Sequence, residues 1–325
     1  MTTLKDVAKV AGVTVTTVSR VLNNRGYISQ ETRGRVMAAM KQLDYQPNEL
    51  ARSLILQRSH LIGVIVPSVV HPFFGALVNA LEYEAAQRGY KILLANSRHD
   101  EEKELSYLDM LRRNKVDGII LASRTTETRP FLRVSLPLIS YDRELSADIP
   151  MVSADNFEGG RLVANHLIAR GCRNLLYIAG SSQVRQYSNL RGSGFTEVCE
   201  ASGRRFSVYE TAEVSFDSQQ YEASIARALD AHPHVDGIFA SSDVIAAQVI
   251  RQLSSRGKKV PQDVKVAGFD DTQIASLLLP SLTTVRQPVE AMSFQMLELL
   301  ERKMKGAPAP AQTILPVELV IREST

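Results

Sequence analysis

The stretch Val13–Asn24 reads VTVTTVSRVLNN. Valine, threonine and serine dominate it, a composition that favours strand. Its apolar residues Val15, Val18, Val21 and Leu22 are nevertheless spaced three, three and one apart, which is helical spacing. The spacing predicts a short helix from Val15 to about Leu22, with Thr14 as its cap. Such weak helix formers do not hold a short helix alone. Neighbouring elements must therefore hold its apolar side. Its other side carries Thr14, Thr16, Ser19, Arg20 and Asn23.

The flanking sequence supplies those neighbours. Upstream, Leu4, Val7, Ala8, Val10 and Ala11 form an apolar stripe after Thr2 and Thr3, two candidate N-caps, and Gly12 ends it. Downstream, Ser29 begins a third helix, with Thr32, Val36, Met37, Met40 and Leu43 spaced for packing. Two short helices joined by a tight Gly-containing turn make the helix-turn-helix pattern. Its second helix lies in the major groove, with N-terminal residues at the base edges. Small Thr and Val side chains permit close approach, and Arg20 can reach guanine O6 and N7 together. Charge agrees. Residues 1–60 hold nine Lys and Arg against four Asp and Glu, whereas the rest of the chain holds 29 against 31. A basic head on a near-neutral body suits a polyanion. A helical hairpin with a merely solvated basic face would share part of this pattern, but not the spacing and the charge bias together.

Between the head and the body, Pro47 blocks helix at Gln46. Asn48 can then cap a short helix carrying Leu50, Ala51, Leu54 and Ile55, with Arg52 and Arg58 adding charge. Too short to be stable alone, it would order when held, and a protruding Leu is a candidate minor-groove wedge. A plain linker is the alternative.

From about His60 onward, strand and helix alternate. LIGVIVPS, YKILLANS, VDGIILAS, PLISYD, NLLYIAG, GIFA, KVAGF and LTTVR read as strands. FGALVNALEYEAAQRG, ELSYLDMLRRNK and a segment from about Gly159 to Ala169 read as helices. This grammar predicts parallel sheets covered by helices. VDGII at 116–120 recurs as VDGIF at 235–239, an echo that suggests two similar halves. Ligands of such sheets lie beyond the carboxyl ends of the strands. Asp142-Arg143, Ser241-Ser242-Asp243, Asp270-Asp271 and Gln287 sit at those ends, with Phe73-Phe74 after the first strand and Arg191 at a loop or helix start. Aromatic faces with Asp, Arg and Gln suit a polyhydroxylated ligand. Taken singly, Phe73 or Phe74 could be core, Asp270 could cap a helix and Arg191 could be a surface charge.

Other functions find little support. No apolar leader or membrane-length run is present, which implies a cytoplasmic protein with no membrane partner. Cys172 and Cys199 are isolated, and the six histidines are scattered without ligand pairs at helical spacing. His232 and His234 flank Pro233 in an expected turn. FEGGR at 157–161 lacks the spacing of a phosphate loop, and no nucleophile–base pair or metal set is evident. No enzymatic activity and no cofactor are expected. A transport-linked sugar receptor would share the body but not the basic head.

LKDVAKVAGVTVTTVSRVLNN, ISQETRGRV, LDYQPNELARSL, IGVIVP, VPQDVKVAGFDD and LTTVRQP together resemble the LacI/GalR family of bacterial transcription regulators, over essentially the whole chain. The resemblance implies an N-terminal all-α helix-turn-helix DNA-binding domain over 1–45 and a hinge helix within 46–59. It also implies an α/β periplasmic-binding-protein-like core over 60–325, made of two doubly wound parallel-sheet subdomains with a ligand cleft between them. Members act as homodimers on pseudo-palindromic operators. By the same resemblance Val15, Thr16 and Arg20 match base-reading positions, and Thr14, Ser19, Asn23, Ser29 and Thr32 match contacts mainly to the DNA backbone. Tyr27 borders the groove. Leu54 matches the hinge wedge, with Asn48 and Ala51 on the same helix. Phe73, Phe74, Asp142, Arg143, Arg191, Ser242, Asp270 and Gln287 match effector positions. HPFF with Asp142-Arg143, Arg191, Asp270 and Gln287 looks like the ribose-type receptors, although Ser242 and His71 stand where those receptors often carry Asn. Arg185 matches a contact of purine-sensing members whose neighbouring pattern is not followed. The implied function is a sugar-controlled repressor, with activator, dual, purine or sugar-phosphate response as the alternatives.

Overall fold

The computed structural model describes residues 2–23, 25–45, 58–98, 100–122, 128–182, 186–211 and 221–325. The chain divides into two compact units, Met1–Ser59 and His60–Thr325.

The first unit carries three helices, α1 (Leu4–Ala11), α2 (Val15–Leu22) and α3 (Gln30–Gln42). Each starts on the cap its sequence offers. The Thr3 hydroxyl accepts from Asp6 N, and Thr3 N donates to the Asp6 carboxylate at 2.8 Å, a closed capping box. Thr14 Oγ1 accepts from Thr17 N at 3.1 Å, and Ser29 Oγ from Thr32 N at 3.2 Å. Gly12 ends α1 with φ 64°, a conformation open to glycine without Cβ strain. Val7, Ala8, Ala11, Val18, Val21, Val36 and Ala39 form the core, with Leu22 packed at its edge. The compensation that α2 needs is therefore tertiary burial of Val18 and Val21. Two stripe positions depart from expectation. Val10 and Met37 are exposed, because each lies a quarter-turn or so off the axis of its stripe while the small residues Ala11 and Ala39 take the contact. Asn48, Ala51 and Leu54 lie outside the described residues.

The second unit has two lobes. Lobe 1 holds β1 (Leu61–Val66), α4 (Pro72–Gln87), β2 (Lys91–Asn96), α5 (Glu101–Arg113), β3 (Gly118–Leu121), α6 (Arg129–Leu132), β4 (Leu138–Tyr141) and β5 (Met151–Ala154). Lobe 2 holds α7 (Asn156–Ala169), β6 (Asn174–Ala179), α8 (Leu190–Ala201), β7 (Arg205–Glu210), α9 (Glu222–Ala231), β8 (Gly237–Ala240), α10 (Asp243–Ser255), β9 (Lys265–Asp270), α11 (Gln273–Leu277) and β10 (Thr283–Arg286). The chain then returns to lobe 1 with α12 (Val289–Met304) and β11 (Gln312–Leu315), and ends in lobe 2 with β12 (Glu318–Val320). The two sheets run β11-β5-β4-β3-β1-β2 and β12-β10-β9-β8-β6-β7. All pairings are parallel except β10 with β12. The chain crosses between lobes at Asp155, at Gln287-Pro288 and near Val317, which packs on the cores of both lobes.

The VDG echo has a physical cause. Its aspartates do the same work in each lobe. Asp117 accepts from His60 N at 3.0 Å, and Asp236 accepts from Arg173 N and Asn174 N at 2.9 Å. Each carboxylate satisfies backbone N–H groups where the neighbouring first strand begins.

Two helices meet with unusual closeness. A Cβ at Gly160 on α7 would stand 2.9 Å from Phe195 N and closer still to the Arg191 carbonyl oxygen. A Cβ at Gly194 on α8 would press in the same way on the Phe157 carbonyl and lie 3.2 Å from Arg161 N. Gly160 of FEGGR and Gly194 of LRGSG thus let two helix backbones touch.

Candidate functional site

All four strand ends predicted to bear polar ligand groups meet at one place, the cleft between the lobes. A cavity of about 720 Å³ opens there, lined by Phe73, Phe74, Tyr141 and Asp142 from lobe 1, by Tyr177, Gln186, Arg191, Ser241, Ser242 and Asp270 from lobe 2, and by Gln287 at a crossover. Burial of strand ends in a cleft follows from the parallel sheets, whose carboxyl ends all point the same way.

The aromatic wall belongs to lobe 1. Pro72 opens α4, so Phe73 and Phe74 fall in its first turn. Phe73 stacks on Tyr141 at 5.7 Å between centroids and meets Phe74 edge-on at 5.3 Å. The rings are mostly buried by one another and present an apolar face to the cavity.

The polar residues form one connected network across the cleft. Tyr141 Oη donates to Gln287 Oε1 at 3.3 Å, and Gln287 Nε2 donates to Asp270 Oδ1 at 2.7 Å. Asp270 Oδ1 lies 3.7 Å from Arg191 Nη1. Arg191 Nε donates to Asn156 Oδ1 at 2.7 Å, and Arg191 Nη1 to Ser241 O at 2.6 Å, while its guanidinium lies over the Phe269 ring at 3.6 Å. Asn156 Nδ2 donates to Asp142 Oδ1 at 3.2 Å, and Ser153 Oγ donates to the same oxygen at 2.7 Å. The other Asp142 oxygen accepts from Ser188 N, on lobe 2, at 3.1 Å. Asp142 and Asp270 both hold positive φ, 59° and 117°, which turns their side chains into the cleft at the strand ends at a cost in backbone strain.

Burial raises the Asp270 carboxyl above the usual carboxylate range, against the pull of the Arg191 charge and the Gln287 hydrogen bond. Asp243, directly behind it, is raised by burial and by the Asp270 charge, although Thr272 N, Thr272 Oγ1 and Thr284 Oγ1 all donate to it. Burial also pushes the Tyr177 hydroxyl up to about 12, so it stays a neutral donor.

Several predicted residues take other places. Arg143 does not line the cavity; it turns toward Glu104 and Glu101 on α5, and burial lowers its pKa. Neighbouring strand-end residues face opposite sides, so Asp142 and Arg143 cannot both enter the cleft. For the same reason Asp271 leaves Asp270 and pairs with Arg322 at 2.6 Å and Arg286 at 2.7 Å. Asp270 caps no helix; Thr272 holds the N-cap position of α11. Arg191 is at a helix start, the second residue of α8, whereas α7 begins at Asn156, three residues earlier than its expected start. Ser242 both lines the cavity and caps α10, its Oγ accepting from Ile245 N at 3.3 Å. Arg185 lies outside the described residues. Sequence reasoning missed Asn156, Tyr141, Tyr177 and Gln186. Asn156 follows a strand end and Tyr141 closes one, so both could have been found by that signal; Tyr177 and Gln186 carry none.

In the head, Thr14, Val15, Thr16, Arg20, Tyr27 and Ser29 are exposed, and Ser19, Asn23 and Thr32 are half-buried. Val15 is 40 % exposed and Tyr27 98 % exposed, so neither is a core residue. The hydroxyls of Thr14 and Ser29 are engaged as caps, which fixes the ends of α2 and α3 that face outward. Asn23 Nδ2 donates to Ser19 Oγ at 3.3 Å, one turn apart on the same polar face. Among the described residues no helix is long and apolar enough to cross a membrane, and no cluster suited to a metal ion occurs.

Known proteins bring these two sites together in one chain. Residues 3–48 match the family described as bacterial regulatory proteins, lacI family, and residues 164–325 match the periplasmic binding protein-like domain. The chain is 38 % identical to a ribose operon repressor of Halalkalibacterium halodurans, over 100 % of this chain and 97 % of that one. It is 39 % identical to a sucrose operon repressor of Streptococcus mutans, over 99 % of this chain and 98 % of the relative. Its fold matches the crystal structure of the lac repressor dimer bound to operator and the anti-inducer ONPF, with a TM-score of 0.87, 26 % identity, and coverage of 99 % of this chain and 98 % of that one. An exposed recognition-helix face, a two-lobed binding core and this similarity over the full length lead to one conclusion: the chain belongs to the lacI family of bacterial transcriptional regulators.

Proposed function

We propose that this protein is a sequence-specific DNA-binding repressor of a carbohydrate-utilisation operon, with its operator affinity set by a small sugar held in the cleft of the core. The observation that carries the sugar reading is the pairing of an apolar aromatic wall with a buried Asp–Arg–Gln network across one cavity. Phe73 and Phe74 pack a sugar's C–H face, while Asp142, Asp270, Arg191, Gln287 and Ser242 meet its hydroxyls. The names of the ribose and sucrose operon repressors support the same class.

In this reading Val15, Thr16 and Arg20 choose the sequence, and Thr14, Ser19, Asn23, Ser29 and Thr32 grip the DNA backbone with Tyr27 at the groove edge. Asn48, Ala51 and Leu54 form the hinge contact, on sequence grounds alone. The protein acts as a homodimer on a pseudo-palindromic operator, in the cytoplasm and on the nucleoid when bound to DNA. The sugar acts through the lobes. Asp142 joins Ser188 across the cleft, and Tyr141 joins Gln287, so a ligand that favours one lobe arrangement shifts the balance between two states. It can do so only by binding them with different affinity.

The test is selection of operator DNA from a random pool with the full chain, followed by gel shifts with a sugar panel and a salt series. A pseudo-palindromic site whose binding falls steeply with salt, and is released by one sugar, is the expected result. Sequence-blind binding would overturn the regulator reading. Tighter binding with sugar would make the sugar a corepressor.

A further inference from the structure

We infer that the cleft takes an uncharged polyhydroxylated ligand and turns away its phosphorylated counterpart. This rests on the reading of the cleft as a sugar site and narrows it.

Charge is the first ground. Among the described residues that line the cavity, Asp142, Asp270, Glu197, Glu200 and Glu210 are acids, His71 is the one histidine, and Arg191 is the one Lys or Arg. Two of the acids, Asp142 and Asp270, are buried, and the three glutamates are exposed, with Glu197 paired to Arg161 at 3.3 Å. A phosphate monoester carries nearly two negative charges near neutral pH. It would come to rest among these acids.

The state of Arg191 is the second and independent ground. Phosphate recognition wants a guanidinium fork free to make two parallel hydrogen bonds. Here Nε is held by Asn156 Oδ1 and Nη1 by Ser241 O, and the planar face is covered by Phe269. With Nε spent on Asn156, the side-on fork of Nε and Nη2 is closed, and the N–H groups left are two on Nη2 and one on Nη1. Arg191 is also the counter-charge of Asp270. Drawing it toward a phosphate would strip a buried carboxyl of its partner, a costly exchange.

Two of the helix ends near the cleft, those of α10 and α4, offer a phosphate no better seat. The first turn of α10 is met by Ser242 Oγ and holds the Asp243 carboxyl. The first turn of α4 opens on Pro72, which has no N–H, and carries the two phenyl rings. Anion sites of this kind need bare N–H groups.

The experiment is isothermal titration of the full chain, at low salt, with matched pairs of a free sugar and its phosphate monoester: ribose, glucose, fructose and sucrose. The expected result is that a free sugar binds and its ester binds about tenfold more weakly or not at all. Replacing Glu197, Glu200 and Glu210 together by Gln should narrow that gap, and added salt should narrow it too. An ester that binds as tightly as its free sugar would overturn the inference while leaving a sugar site standing. A gap unmoved by both the Gln replacements and salt would overturn its charge basis. If no member of any pair binds, the sugar reading itself falls, and this inference with it.

Discussion

Gly160→Ala adds one methyl group where α7 and α8 touch. The new Cβ would stand 2.9 Å from Phe195 N and nearer to the Arg191 carbonyl. Ordinary contact begins at about 3.5 Å, so the helices must part by roughly 0.6 Å or more. Both opposing atoms are backbone, which no rotamer change can move aside. Overpacking of this kind costs about 1–3 kcal/mol, and the rigid neighbours put it near the upper end. Alanine returns about 1 kcal/mol of helix propensity. The net loss is about 2 kcal/mol, a fall in Tm of about 4–8 °C for a unit of this size. Function should suffer as well. The parted helices are those that carry Arg191 and Asn156, whose hydrogen bond of 2.7 Å would stretch. Calorimetric melting of the full chain, with sugar titration beside it, measures both effects. Gly34→Ala is the control: it lies within α3 with nothing inside 4 Å of its Cβ, and should stabilise the head by about 0.5–1 kcal/mol. A Gly160→Ala protein that melts at or above the parent, with unchanged sugar affinity, would refute the close-packing argument.

Three further outcomes are expected. Arg20→Ala should cost about 1–3 kcal/mol on the operator and relax base preference at one position, read by gel shifts on operator variants; an equal loss on every sequence would leave Arg20 a backbone contact. Leu54→Ala should weaken operator binding while sugar titrations stay unchanged, and full operator affinity would remove the wedge. Burial raises the Asp243 carboxyl, so the folded chain keeps a proton that the unfolded chain releases. Stability therefore falls as pH rises above the ordinary carboxylate pKa of about 4. Melting temperatures of Asp243→Asn should show a flatter fall from about pH 4 to 8, and a slope equal to the parent's would clear Asp243 of that role.

Local chemistry was legible wherever its partners lie close in sequence. Thr3 with Asp6, Thr14 with Thr17 and Ser29 with Thr32 are all three residues apart, so the caps of the head could be read directly. The buried strands were legible as apolar runs, and the VDG echo marked corresponding strands in the two sheets. The short strands β11 and β12 carried no such signal. They lie at sheet edges with half-exposed side chains, where composition is less constrained.

By itself the sequence determined the basic three-helix head, the polar face of VTVTTVSRVLNN, and a body of parallel sheets with polar groups at the strand ends. Which of those groups meet was decided by the tertiary structure alone. Asp142 enters the cleft and Arg143 leaves it; Asp270 enters and Asp271 pairs with Arg322 and Arg286. The reason is geometric. Successive residues at a strand end point to opposite sides, and only the register of the assembled lobes says which side is the cleft. Likewise, Gly160 falls within a segment read from the sequence as helix. Its role as the contact between two helices depends on a segment more than thirty residues away, which no local pattern records.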